Sequence, residues 1–364
     1  MSPPLRIGFP VKVMGREIKS NDTRRWQSNP HLKVSLEYVD QILDYLAARR
    51  IDMYRLSSDL APYATHPDMP QFHRMVAESD AELAAVGKKA RQLGIRLSFH
   101  PSQFVLLNSP DPVLTDKSIW DLSSQAEMLD RMGLGPEAVM VTHVGGVYGD
   151  LLESRARWAQ RWPTLPEHVR ARLVLEHDDI RFSAADVLWV HEQTGVRCVF
   201  DYQHFWCLNP EGADMVETLK AILATWPADQ RAKIHFSSPR MELRELVRID
   251  KKTRKKTKTL AAPVLTNHAD FANPFEFARF MRDAAGLEFD VMLESKSKDL
   301  AVLKLRADLV RLAPDIAARF GLTPSDAVPD ETLAADQAPA DDVDPDEGGA
   351  PLPNEPRSIA PPPG

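Results

Sequence analysis

The 364-residue chain is 43% hydrophobic, and 45 Lys and Arg against 52 Asp and Glu give it a formal net charge of −7. That length suits one large α/β barrel or two ordinary domains, and without an apolar run near the ~18 residues that span a bilayer, a soluble, cytoplasmic protein is expected. Two cysteines, Cys198 and Cys207, exclude a disulfide framework and a thiolate zinc cluster, and read as packing thiols.

The chain opens MSPPLRIGFP, which lacks the charged-then-apolar pattern of a secretory leader. Within it, LRIGF (5–9) is the first of eight β-rich runs. The others are DMYRLS (52–57), IRLSFH (95–100), AVMVTH (138–143), RLVLE (172–176), RCVFD (197–201), AKIHF (232–236) and DVMLE (290–294). Most stay apolar until the last residue or two, as parallel strands buried on both faces do. Amphipathic segments lie between them. Val34, Tyr38, Val39, Ile42, Leu43 and Leu46 recur at helical spacing, as do Ile119, Leu122, Ala126, Leu129 and Met132. Gly94 and Gly133 fall where a helix ends on a left-handed residue, and Ser183-Ala-Ala-Asp186 reads as a capping-box-like start. Strands alternating with helices over ~300 residues point to a (β/α)8 TIM barrel rather than a doubly wound sheet. Neither GxGxxG nor GxxxxGK[ST] follows a strand, which removes the support for a nucleotide cofactor.

Residues 323–364 hold ten acidic residues, one Arg and ten Pro. Their net charge of −9 leaves −7 − (−9) = +2 on residues 1–322. With almost no large apolar residues, this segment cannot offset its ordering entropy. A single domain over 1–322 and a disordered acidic, Pro-rich tail over 323–364 are expected. The near-neutral domain is compatible with a polyanionic substrate.

The polar residues that close the strands are imidazoles and carboxylates: His100, His143, Glu176, Asp201 and Glu294, with His235 on the seventh run. His204 lies three residues past Asp201, and His268 and Asp270 follow the seventh run. Taken singly, such a His is more often a hydrogen-bonded core residue, and a strand-terminal carboxylate a helix cap. In a barrel, however, the C-terminal strand ends converge on one mouth. Carboxylates buried together there would not all stay ionised without a cation. Five His and three or four carboxylates exceed the coordination of one ion, so two or three divalent metals are expected. Nitrogen and oxygen donors without thiolate favour Zn²⁺ or Mn²⁺. Several metals in one pocket suit phosphodiester hydrolysis. Lys233 shares a strand face with His235 and reads as a phosphate clamp, a carboxylated metal ligand or an ordinary barrel-lining lysine.

These residues and their neighbours resemble the UV damage endonuclease family over roughly residues 5–300. The blocks that carry the resemblance are YRLSSDLAPYATHP (54–67), LSFHPSQFVLLNSPDP (97–112), HVGGVYGD (143–150), LVLEHDD (173–179), VFDYQHFWCLNP (199–210), KIHFSSP (233–239) and DVMLESKSKD (290–299). More distantly, the ligand order is similar to endonuclease IV-type abasic-site nucleases and xylose isomerase-like barrels. The resemblance implies a metal-dependent, light-independent repair endonuclease that nicks double-stranded DNA immediately 5′ of a UV photoproduct. It implies one ion on His100, His143 and Glu176, a second on Glu176, Asp201, His235 and Glu294, and a third on His204 and His268 with Asp270. Glu176, Lys233 and His235 would then be catalytic. Gln103 and Phe104 match the family's Gln-aromatic pair, which wedges into the duplex at a lesion. Phe9 stands where the family commonly has Tyr, Val13 where it has Asn, and His177 where it has Asn. Phe9 would keep a stacking face, and His177 would orient a neighbouring ligand.

Outside these blocks, KKTRKKTK (251–258) reads as a basic loop that grips phosphates near the mouth, and His66 as a DNA contact or ligand-orienting residue. A sugar or sugar-phosphate isomerase on the same barrel is the second enzyme reading, and a non-cleaving damaged-DNA-binding protein the third. A monomer is expected by analogy with other open-mouthed barrels.

Overall fold

The computed structural model describes residues 3–249 and 254–327. Ten strands run in chain order: β1 (Ile7–Pro10), β2 (Met53–Arg55), β3 (Arg96–Ser98), β4 (Met140–His143), β5 (Leu173–Glu176), β6 (Arg197–Val199), β7 (Ala232–Phe236), β8 (Arg244–Ile249), β9 (Lys256–Ala261) and β10 (Phe289–Leu293). Two parallel sheets, β3-β2-β1-β10-β7 and β4-β5-β6, are joined edge to edge by single parallel bridges, Phe99 to Met140 and Asp201 to His235. Eight parallel strands thereby curl into a closed TIM barrel. Each of the eight runs read from the sequence overlaps one of these strands, with β1 ending one residue after its run and β10 beginning one residue before. β2, β3 and β6 are only three residues long, shorter than their runs.

The strands form where the sequence supplies apolar and β-branched residues, and nearly every strand residue of the barrel is buried. Helices cover the outside, among them Leu32–Arg49, Asp80–Leu93, Pro112–Arg131, Ala184–Thr194 and Lys298–Leu312. Their ends follow the expected chemistry. Gly94 closes one at φ 69°, and Ser183 and Asp186 make a reciprocal capping box. At the N-terminal end of the barrel, Arg96 and Asp290 form a fully buried ion pair at 2.9 Å, with Arg6 and Arg231 also on the Asp290 carboxylate. Polar density at that end serves stability. Cys198 is buried, as a packing thiol should be.

Two boundaries differ from the sequence reading. Described structure continues past residue 322, because Pro324–Ala327 make a 3₁₀ turn whose Asp326 carboxylate accepts hydrogen bonds from Arg50 and Arg306. The basic stretch is only partly a loop where it is described: Arg254 and Lys255 lie outside a strand, but Lys256–Lys258 belong to β9, which pairs antiparallel with β8. Lys251, Lys252 and Thr253 lie outside the described residues, as does the tail from residue 328. Among the described residues, no helix is long and apolar enough to cross a membrane.

Candidate metal centre

Barrel closure brings the strand-end residues together. Glu176 ends β5, and its two carboxylate oxygens face different imidazoles. Oε1 lies 2.8 Å from His235 Nδ1 and 3.5 Å from His204 Nδ1; Oε2 lies 3.4 Å from His100 Nε2 and 3.8 Å from His143 Nε2. Glu294, one residue past β10, sits 3.3 Å from His235 Nδ1. Asp201 is aligned with His235 by the bridge that joins β6 to β7. Two donor groups converge tightly enough to share an ion each, His100–His143–Glu176 and Glu176–Asp201–His235, with Glu176 in both.

Several ring nitrogens are fixed by a second hydrogen bond. His100 Nδ1 faces the Pro101 carbonyl at 3.1 Å and His204 Nδ1 the His177 carbonyl at 3.0 Å, which leaves Nε2 of each ring available. His177 is fully buried, and its Nε2 accepts the Asp201 N–H at 3.0 Å. It buttresses two candidate ligands instead of joining them, the role favoured from sequence. Asp201 also caps the helix Tyr202–Cys207, its Oδ1 accepting the His204 N–H at 2.7 Å. Cap and ligand are thus compatible roles for one carboxylate.

The donors fit divalent cations. Asp201 Oδ2, Glu176 Oε2, His235 Nε2 and His143 Nδ1 are buried without a hydrogen-bond partner, a costly state for polar atoms in a protein interior. Burial would raise the Glu176 carboxyl, but the His235, His143 and His100 imidazoles hold it well below the usual range. Burial opposes charge on His204 too, yet Asp201 and Glu176 draw it up to about 10. Burial pushes the Asp201 carboxyl up. A cluster that pulls protons onto an imidazole and a carboxyl is short of positive charge, which metal ions would supply.

Lys233 is fully buried one layer below His235, its Nζ donating to Ser98 Oγ at 3.2 Å. Burial, with the charges of Arg55 and Arg96, brings it down to about 7. Arg55, at the end of β2, pairs with Glu294 inside the mouth. Sequence reading missed it. The signal was an arginine within an otherwise apolar strand, DMYRLS.

The remaining expectations divide. Gln103 and Phe104 stand in an exposed turn four residues past His100 at most, with Phe104 70% exposed. His66 is half-buried and lines, with Phe104, Tyr63 and Lys117, a cleft of about 490 Å³ beside that turn. His268 is buried with its ring centroid 6.3 Å from that of His204. Asp270 is half-buried outside both tight donor groups. Phe9 is a correction. It is 0% exposed and packs edge-on against Tyr54 with centroids 5.5 Å apart, so it offers no stacking face to a base.

Comparison with known proteins supports the family and the fold. The family described as UV-endonuclease UvdE matches residues 19–317. The UV DNA damage endonuclease of Bacillus velezensis is 31% identical over 284 residues, 76% of this chain and 81% of that protein. The one from Bacillus pumilus is 32% identical over 283 residues, with the same coverage of both chains. The crystal structure of SacUVDE superposes with a TM-score of 0.71 at 29% identity, over 85% of this chain and 99% of that one. A xylose isomerase-like TIM barrel/4-hydroxyphenylpyruvate dioxygenase fusion protein shares the fold at TM-score 0.50 and 11% identity, over 86% of this chain and 45% of that one.

Proposed function

The chain belongs to the UV-endonuclease family, whose members are DNA repair nucleases, and from that premise we propose that it cleaves the phosphodiester immediately 5′ of UV photoproducts in duplex DNA at a multinuclear divalent metal site. The observation that carries this reading is Glu176, a buried carboxylate with a different pair of imidazoles on each oxygen. That is the arrangement of a bridging ligand.

In this reading His100, His143 and Glu176 hold one ion, and Glu176, Asp201, His235 and Glu294 a second. His204 and His268 hold a third, with Asp270 the most distant candidate. Such ions, Mn²⁺ or Zn²⁺ by donor type, supply Lewis acidity to the phosphate oxygens and lower the pKa of water. The chain's own groups do the rest. His177 fixes the backbone of Asp201 and the ring of His204. Arg55 keeps Glu294 ionised and directed inward. Lys233, near neutrality in its proton affinity, stands below the cluster as a nitrogen donor when neutral and as a countercharge to phosphate when protonated. Gln103 and Phe104 enter the duplex where a photodimer has weakened stacking. A sugar isomerase would call for a small closed pocket, whereas Phe104 stands 70% exposed.

The test is nicking of UV-irradiated supercoiled plasmid with Mn²⁺, beside unirradiated plasmid and a Glu176→Ala variant. Nicking confined to irradiated DNA and lost in the folded variant is expected. No nicking by metal-loaded, folded protein would overturn the assignment.

A further inference from the structure

The chain between His235 and His268 leaves the barrel and builds an arm. β8 and β9 pair with each other in a six-residue antiparallel register, Arg244 opposite Ala261 through Ile249 opposite Lys256. Among the described residues neither strand joins the barrel sheets. Lys256–Leu260 and Glu245–Val247 are exposed, so both faces of this ribbon meet solvent.

Its base is fixed at the mouth. Pro239 bridges antiparallel to His268, the Arg240 N–H donates to the Asn267 carbonyl at 2.7 Å, and the Ala269 N–H to the Ser238 carbonyl at 2.8 Å. Gln203, beside His204, donates to the Leu265 carbonyl at 2.7 Å. The arm therefore springs from between two candidate metal ligands.

Its charge differs from that of the molecule that carries it. Its described residues, 244–249 and 254–261, contain six Lys and Arg against one acid, a net charge of +5. Residues 1–322 total +2, so the rest of that span carries 2 − 5 = −3. The positive excess of the domain lies wholly in this arm. A two-stranded ribbon fits the ~12 Å major groove, and six residues per strand reach ~20 Å along it. Exposed Leu246 and Leu260 add apolar surface of the kind that meets thymine methyl groups. Lys258 Nζ lies 2.7 Å from Glu245 Oε1 on the exposed ribbon, a surface pair that a phosphate would have to displace.

We propose that the β8–β9 ribbon is a duplex-binding arm that grips DNA beside the mouth and supplies lesion-independent, salt-sensitive affinity. This rests on the endonuclease reading for its partner, and its test does not depend on cleavage. Binding of the full chain to unirradiated and irradiated 30-bp duplexes is measured from 50 to 200 mM salt, for the parent and for Arg254→Gln/Lys256→Gln/Lys258→Gln. Three lost phosphate contacts would flatten the log–log salt slope by about 2.7, so the affinity lost across that range would shrink by about 40-fold. The slope should change equally for both duplexes, and a Lys256→Arg/Lys258→Arg variant should keep the parent slope. Unchanged slopes in the triple variant, with its thermal unfolding intact, would overturn the arm. So would a slope change confined to irradiated DNA. If the arm dependence appears and plasmid nicking does not, the arm stands and the endonuclease reading falls.

Discussion

Phe9 shows how one burial value redirects the meaning of a side chain. In sequence it occupies a position expected to face a lesion, and its ring invites a stacking role. In the structure it is closed inside the barrel against Tyr54, whose hydroxyl donates to the Val11 carbonyl. Its worth is therefore in packing. Phe9→Ala should destabilise the fold by about 3–5 kcal/mol, the range for emptying a buried aromatic site. Denaturant unfolding checks this, and a variant with parent stability but a narrowed range of lesions would restore the DNA-contact role. The candidate ligands were legible for the opposite reason. A single His, Asp or Glu at the end of an apolar strand reads as packing or a cap, but many of them on strands that converge at one mouth break the local pattern together and point to function. Arg55 violates it too, but a lone arginine in a short strand has no spacing rule to flag it. His177, next to Glu176 in sequence, is buried with its Nε2 on the Asp201 amide and lies outside both tight donor groups.

At the scale of elements, the eight barrel strands were readable because each is an apolar run with a polar terminus, and that texture survives the shortening of several to three residues. The β8–β9 ribbon was not, because its alternation, RELVRI and KTKTLA, is masked by charge density that reads as a solvated loop. The last turn was hidden as well, since Pro324–Ala327 share the composition of the acidic tail. Asp326 is what holds that turn. Burial would raise its carboxyl, but hydrogen bonds from Arg50 and the Thr323 N–H, with the charge of Arg306, bring it down from 3.8 to about 2. A folded-state value below the unfolded one contributes stability that is complete above about pH 4 and is lost as pH falls through about 2. A shift of this size on a side chain 7% exposed is worth about 2 kcal/mol. Asp326→Asn should therefore cost roughly that much in urea unfolding at pH 7, with the gap to the parent closing below pH 4. A gap that stays constant from pH 7 to pH 3 would remove the charge from the account.

At the scale of the whole molecule, the barrel holds polar clusters of two kinds. Near the N-terminal strand ends, Arg96 and Asp290 neutralise each other directly, so that end is complete as folded. Around the mouth, Glu176, Asp201 and Glu294 meet imidazoles and Arg55; burial pushes the Asp201 carboxyl up, and Asp201 and Glu176 draw His204 up to about 10. That difference predicts which end limits stability when metal is removed. A cation bound to the folded mouth and not to the unfolded chain stabilises by about 2.7 kcal/mol at a hundredfold excess over its dissociation constant. For a domain of this size that corresponds to a melting shift of about 5 °C. Calorimetry of the protein with EDTA, and again after Mn²⁺ is restored, should show a fall and recovery of that order. Glu176→Ala should show a smaller difference between the two conditions, since the carboxylate common to both donor groups is gone while His204 and His268 remain. A parent protein whose melting ignores both EDTA and Mn²⁺ would mean that the imidazoles and carboxylates at the mouth balance one another without an ion, and the bridging role of Glu176 would go with it.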